Sequence, residues 1–239
     1  MGVLKNIADI IFPPACLGCE EILAREEDKY FCPDCRRQIR FLTGSICPIC
    51  GITFFDSPAE NHLCGNCIEQ KPFFSLARAV AAYESVMLEA IRKFKYGRDL
   101  STGSLLASIM ADFPFPDFDC RAYDMIVPVP LHIKKLRQRG FNQAVILAQA
   151  LKKKWQIPLN YFLLKRTKFT LTQTGLRKKE RENNIKGAFA VSDDKAAEGT
   201  NIILVDDVYT TGATVNECAR TLRRAGSREI AVLTLARVI

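Results

Sequence analysis

The residues with the most definite chemistry lie between Ile202 and Thr214, which read Ile-Ile-Leu-Val-Asp-Asp-Val-Tyr-Thr-Thr-Gly-Ala-Thr. Four apolar residues, Ile202 to Val205, predict a buried strand. Asp206 and Asp207 stand at its carboxyl end, and a loop of small hydroxyl residues around Gly212 leads to a helix that should begin near Thr214. In an open α/β sheet, ligands bind outside the carboxyl ends of the strands. A helix N-terminus reached through small residues holds anions, because its free N–H groups and its dipole point at the ligand. Thr210, Thr211, Gly212, Ala213 and Thr214 are therefore the candidate phosphate cradle. The two carboxylates would repel a bare phosphate, so they need another task. Vicinal sugar hydroxyls suit them, directly or through Mg²⁺. The combination suggests a ribose 5-phosphate. The Gly-Lys-Ser/Thr ending of a Walker loop and the three spaced glycines of a dinucleotide fingerprint are both missing.

A second chemistry occupies the first 67 residues. Eight of the 10 cysteines form Cys-x-x-Cys pairs: Cys16/Cys19, Cys32/Cys35, Cys47/Cys50 and Cys64/Cys67. Zinc takes four soft ligands in a tetrahedron, and a tight turn lets one such pair present two sulfurs to one ion. Gly18, Pro33, Pro48 and Gly65 supply the turn residues. The matched inserts predict a double zinc ribbon with two sequential structural Zn²⁺ sites. A cross-braced arrangement is the other solution. Closed four-cysteine sites leave no open coordination position, so they act as scaffolds. Cys120 and Cys218 stand alone and read as small core residues.

These groups must be positioned by the rest of a 239-residue chain that is 48% hydrophobic and 25% charged, which excludes collagen-like, disordered and membrane-embedded classes. No stretch approaches the length of a membrane span. Val3 to Phe12 reads as a short amphipathic helix rather than a signal peptide, which places the protein in the cytoplasm. From about Ser75, strand and helix patterns alternate. Strands are expected at Ala77–Tyr83, Asp124–Val129, Ile202–Val205 and Glu229–Ala236. Helices are expected at Ser85–Tyr96, Leu100–Asp112, Asn142–Trp155 (with Asn142 as N-cap) and Thr214–Arg224. Such alternation means an α/β fold with a parallel sheet and flanking helices. The expected division is a zinc-ribbon domain over residues 1–73 and an α/β domain over 74–239.

The Asp206–Thr214 segment resembles the 5-phosphoribosyl 1-pyrophosphate (PRPP) signature of type I phosphoribosyltransferases. Arg139 to Gln143 (Arg-Gly-Phe-Asn-Gln) and the set Gln173, Leu176, Arg181, Asn184 and Phe189 are similar to the ComF family of competence-associated proteins, as is the cysteine ribbon ahead of them. The resemblance implies a type I phosphoribosyltransferase-like sheet that binds PRPP with Mg²⁺. Asp206 and Asp207 would hold the ribose hydroxyls, and Thr210 to Thr214 the 5′-phosphate. Lys134, Lys135, Arg137 and Arg139 are candidates for the pyrophosphate. Arg181 would act from just beyond a mobile loop at Thr167–Leu176. The implied task is handling single-stranded DNA during competence, with the DNA-uptake machinery as a partner. The alternative is an active transferase moving ribose 5-phosphate to a nucleobase or another small acceptor. A hood over such a base, which the resemblance implies is often built partly after the last strand, is expected here from Tyr83–Asp119 or from the zinc domain.

The net charge of +8 is localised. Lys152 to Lys186 carries eleven Lys or Arg against two acids, a net of +9, which exceeds that of the whole chain. Trp155, Tyr161, Phe162 and Phe169 are interspersed. Cations with aromatics suit single-stranded nucleic acid. The competing readings are a helix C-terminus complemented by Lys152–Lys154, a pyrophosphate loop, and aromatics that are simply core.

Overall fold

The computed structural model describes residues 15–23, 30–54, 60–97, 99–168 and 184–239. Four strands form one parallel sheet: β1 (Leu76–Ala82), β2 (Met125–Pro128), β5 (Ile202–Tyr209) and β6 (Ile230–Arg237), in the order β1-β6-β5-β2. Both faces are covered, so β6 is buried along its whole length and the strands read as apolar runs rather than alternating ones. A separate antiparallel pair joins β3 (Leu164–Arg166) to β4 (Phe189–Val191).

The helices follow local signals. In chain order they are α1 (Pro33–Arg37), α2 (Gly65–Glu69), α3 (Ser85–Tyr96), α4 (Leu100–Asp112), α5 (Ile133–Arg139), α6 (Gln143–Trp155), α7 (Asp194–Ala197) and α8 (Ala213–Arg224). The α3 stripe of Val86, Met87, Ala90, Ile91 and Phe94 faces the core. The Asp99 side chain caps α4 by accepting the Ser101 and Thr102 N–H groups at 2.9 and 3.1 Å. Asn142 caps α6 by accepting the Ala144 N–H at 3.1 Å. Gly103 lets α3 and α4 meet, since a Cβ there would lie 2.3 Å from the Phe94 ring.

The expected strands and helices are present, with three differences. β5 does not stop at Val205 but runs through both aspartates to Tyr209, because β6 continues beside it and pairs Tyr209 with Arg237. Sheet pairing here overrides the poor strand propensity of aspartate. The segment after β2 is the short helix α5, which its charge pattern did not announce. The β3–β4 pair also lacked a periodic signal, being only three residues per strand. The expected N-terminal helix (Val3–Phe12) lies outside the described residues, as does residue 169 onward of the expected mobile loop.

The cysteines form two sequential clusters, Cys16/Cys19/Cys32/Cys35 and Cys47/Cys50/Cys64/Cys67, with the four Sγ atoms of each within 4.8 Å of one another. This decides against cross-bracing. Cys19 and Cys32 Sγ are 3.7 Å apart, and Cys50 and Cys64 Sγ 3.6 Å. A tetrahedron with Zn–S bonds of about 2.3 Å has edges of about 3.8 Å, so both sets fit zinc. Burial raises the Cys16 and Cys47 thiols, but backbone N–H groups outweigh it and bring them down to about 6 and about 7. Burial and neighbouring thiols push Cys35 and Cys67 up. Only a cation makes four thiolates affordable together.

The ribbon is built onto the sheet. The Leu42 N–H donates to Val80 O at 3.0 Å, the Ala82 N–H to Arg40 O at 2.9 Å, and the Ala77 N–H to Ile49 O at 2.6 Å. Arg78, 4% exposed, donates to the Pro48 and Pro116 carbonyls at 3.2 and 2.8 Å. Cys16, Leu17, Phe31 and Cys35 share a core cluster with Val86, Met87 and Phe94. Stripping zinc with a strong chelator should therefore lower the melting temperature of the whole chain, in one transition. Calorimetry with a colorimetric zinc count checks this; an unchanged sheet transition after both ions are released would refute it.

Candidate functional site

The site lies at the carboxyl ends of β5, β2 and β3. On β5, Ile203 and Val205 belong to the core on the α3 side, and Ile202 and Leu204 to the core on the α8 side. Side chains alternate along a strand, so Asp206 and Asp207 continue toward opposite faces. Asp207 Oδ1 meets Lys95 Nζ of α3 at 2.9 Å, with both side chains largely buried. The Asp207 N–H donates to Asp206 Oδ1 at 2.9 Å.

Burial and then the neighbouring Asp207 carboxylate push the Asp206 carboxyl up to about 7, against the pull of Lys95 and Arg166. Burial lowers Lys95, but the Asp207 carboxylate prevails and holds its pKa above the ordinary value. Lys135 is lowered by burial and then by Arg166, Arg139 and Lys95. Arg166 is lowered by burial and stacks over the Phe189 ring at 5.4 Å. Arg139 stacks over Tyr96 at 5.4 Å and donates to Gln143 Oε1 at 3.2 Å. Lys95 and Arg166 thus face the two crowded carboxylates, and Lys135 stands beside those cations and Arg139. Asp206 lacks full compensation and Lys135 has cations for neighbours, so the array suits a ligand that brings anions and a divalent cation together.

The loop from Thr210 to Gly212 turns into α8 through Gly212, whose φ of +78° is left-handed. A Cβ there would lie 2.2 Å from Tyr209 Oη. The Tyr209 ring is in turn held 4.7 Å from the Arg237 guanidinium and edge-on to Phe74. Arg237 Nη1 donates to the carbonyl of the zinc-site residue Cys50. A cleft of ≈ 600 Å³ opens beside this loop, between α8 and the second cysteine cluster.

Residues 7–68 match the double zinc ribbon domain family, and residues 136–238 the phosphoribosyl transferase domain family. Competence protein F of Haemophilus influenzae is 34% identical over 211 residues, which cover 86% of this chain and 90% of that protein. This chain belongs to the ComF family. Other ComF relatives agree. Competence protein ComFC of Bacillus subtilis is 31% identical over 224 residues, covering 88% of this chain and 85% of its own length. DNA utilization protein YhgH of Escherichia coli is 32% identical over 213 residues, covering 87% and 90%.

Within this ComF chain, Asp206, Asp207 and the Thr210–Thr214 loop adjoin along β5 and the start of α8. Of the four α5 cations, Lys135 and Arg139 are half-buried, whereas Lys134 and Arg137 are exposed. Arg181 lies outside the described residues, as do Gln173 and Leu176. Sequence reasoning missed Lys95 and Arg166. Lys95 had a signal: it extends the buried spacing Met87–Ile91–Lys95, and a lysine on an apolar stripe needs a buried partner. Arg166 had none, because a three-residue strand sets its direction. Cys218 is buried as expected, and Cys120 is half-buried against the core.

Two outcomes follow from this geometry. The folded protein holds the Asp206 proton more tightly than the unfolded chain does, so this group favours folding below about pH 4. That contribution is lost as pH rises through about 7. Melting curves across this range, without ligand, should show wild type losing stability relative to Asp206→Asn; parallel curves would refute the shift. Gly212→Ala should cost at least about 1 kcal/mol in urea unfolding, from the left-handed backbone alone, with a further cost from the Tyr209 contact. An unchanged midpoint would contradict the close approach.

Proposed function

We propose that this ComF protein binds PRPP with Mg²⁺ and handles single-stranded DNA in competence or DNA utilisation, within the cytoplasm. The observation that carries the PRPP reading is the Asp206–Asp207 pair, crowded enough to raise one carboxyl, beside the candidate anion loop and met by Lys95 and Arg166, with Lys135 and Arg139 next to those cations. In this reading Asp206 and Asp207 orient the ribose hydroxyls. Thr210, Thr211, Ala213 and Thr214 hold the 5′-phosphate through hydroxyls and backbone N–H groups, and Gly212 gives the turn. Lys135 and Arg139 neutralise the pyrophosphate, with the exposed Lys134 and Arg137, and Arg181, as further candidates. Mg²⁺ would supply charge neutralisation between the pyrophosphate and the sugar oxygens. Lys95 acts as the positioning residue for Asp207.

The names of the relatives support the DNA role, as does the +9 segment from Lys152 to Lys186. Among the described residues no helix is long and apolar enough to cross a membrane. Contact with the DNA-uptake machinery is part of the same proposal.

Calorimetric titration of PRPP, with and without Mg²⁺, tests the pocket. Wild type should bind saturably and more tightly with Mg²⁺. The double variant Asp206→Asn, Asp207→Asn should lose at least about a hundredfold, the scale of two charge-assisted hydrogen-bonded contacts. No binding by folded, zinc-loaded wild type would overturn the reading.

A further inference from the structure

We propose that Tyr161 and Phe162, together with Lys152, Lys153 and Lys165, form the surface on which single-stranded DNA lies. This rests on the reading that the protein handles single strands, and it assigns them a place outside the PRPP pocket and outside the cysteine clusters.

The interspersed aromatics have separate fates. Trp155 packs against the core, 5.6 Å from the Phe118 ring. Tyr161 and Phe162 do not: they are 37% and 74% exposed. The backbone holds them out. Helix α6 ends at Gln156 in a left-handed conformation, with its Nε2 donating to Lys153 O at 2.7 Å. The chain then runs beside β2, where the Ile126 N–H donates to Pro158 O and the Asn160 N–H to Ile126 O. Asn160 Oδ1 accepts the N–H groups of Phe162 and Leu163 at 3.1 and 3.0 Å. From the other side, the Ser192 hydroxyl donates to Leu163 O at 3.2 Å. Leu163 and Leu164 supply the burial this segment needs. Phe162 therefore stands on a clamped turn without a folding role.

The two rings lie 6.2 Å apart at 54°, so neither covers the other's face. The lysines at the end of α6, beside Tyr161, differ in their partners. Lys154 is held by Asp112 at 2.9 Å, but Lys152 and Lys153 make no ion pair among the described residues. They line a cleft of ≈ 450 Å³ with Gln149, Gln156, Pro158 and Tyr161. Lys165 is exposed on β3, between the buried Leu164 and the site residue Arg166. Lysine is depleted in the cores of protein–protein interfaces. An exposed Phe162 ring and a part-exposed Tyr161 ring, with lysines that make no ion pair among the described residues, match a strand of bases and phosphates instead.

Fluorescence anisotropy of labelled oligothymidylate with the full, zinc-loaded chain tests this. Phe162→Ala should weaken Kd about tenfold, the loss of one stacked base, and Phe162→Trp should retain affinity. Lys152→Gln with Lys153→Gln should reduce the slope of log affinity against log salt by about 1.4. PRPP titration and melting should stay unchanged in all of them. If wild type binds and the variants bind equally with the same slope, the strand lies elsewhere and only this assignment falls. If wild type shows no salt-sensitive affinity, the single-strand reading falls with it. A dimer in sedimentation that Phe162→Ala dissolves, without DNA affinity, would assign the patch to self-association and overturn the proposal.

Discussion

Two adjacent carboxylates on the inner strand β5, just past its pairing with β2, are the constraint around which the α/β part of the molecule is arranged. A carboxylate pair removed from water is unfavourable unless protonated or neutralised. Asp207 is met by Lys95, which α3 can deliver only because its apolar stripe anchors the helix against the same face of the sheet. Asp206 faces the other side, where Arg166 and a raised pKa share the burden. The compensation of Asp206 is incomplete, as its raised pKa shows. A fully satisfied pair would be a structural ion bridge and nothing more.

The zinc ribbon solves a different problem. β1 is an edge strand, and an uncovered edge invites pairing with other chains. The ribbon supplies its partners at Ile49, Arg40 and Leu42. It reaches further through single contacts. Cys50 accepts from Arg237, Arg237 stacks on Tyr209, and Tyr209 fills the space beside Gly212. One continuous set of contacts thus runs from a cysteine cluster to the turn of the candidate phosphate loop. A small domain with little apolar core of its own can hold such a position because its ligand set supplies the rigidity.

At the opposite edge, beside β2, the last turn of α6 and strand β3 carry part of the basic excess. Its charges differ in character although they are adjacent in sequence: Lys154 is bound to Asp112, Lys152 and Lys153 face the open cleft, and Arg166 turns inward. The described cations of the +9 segment therefore fall into sets with separate surroundings.

Much of this was legible in the residues themselves. Cys-x-x-Cys spacing, the Asp-Asp-Val-Tyr-Thr-Thr-Gly-Ala-Thr loop and the periodicity of α3, α4, α6 and α8 are local signals, since turn chemistry, capping and helical repeat act over a few residues. The extension of β5 through Asp206 and Asp207 was decided by β6 alongside it. Sequential ligation was decided by which turns meet in space. The half-burial of Lys135 and Arg139, the partnership of Lys95 with Asp207 and the exposure of Phe162 were likewise settled by packing. Each depends on elements brought together from distant parts of the chain, and a side chain's charge environment is fixed only when those elements exclude water around it.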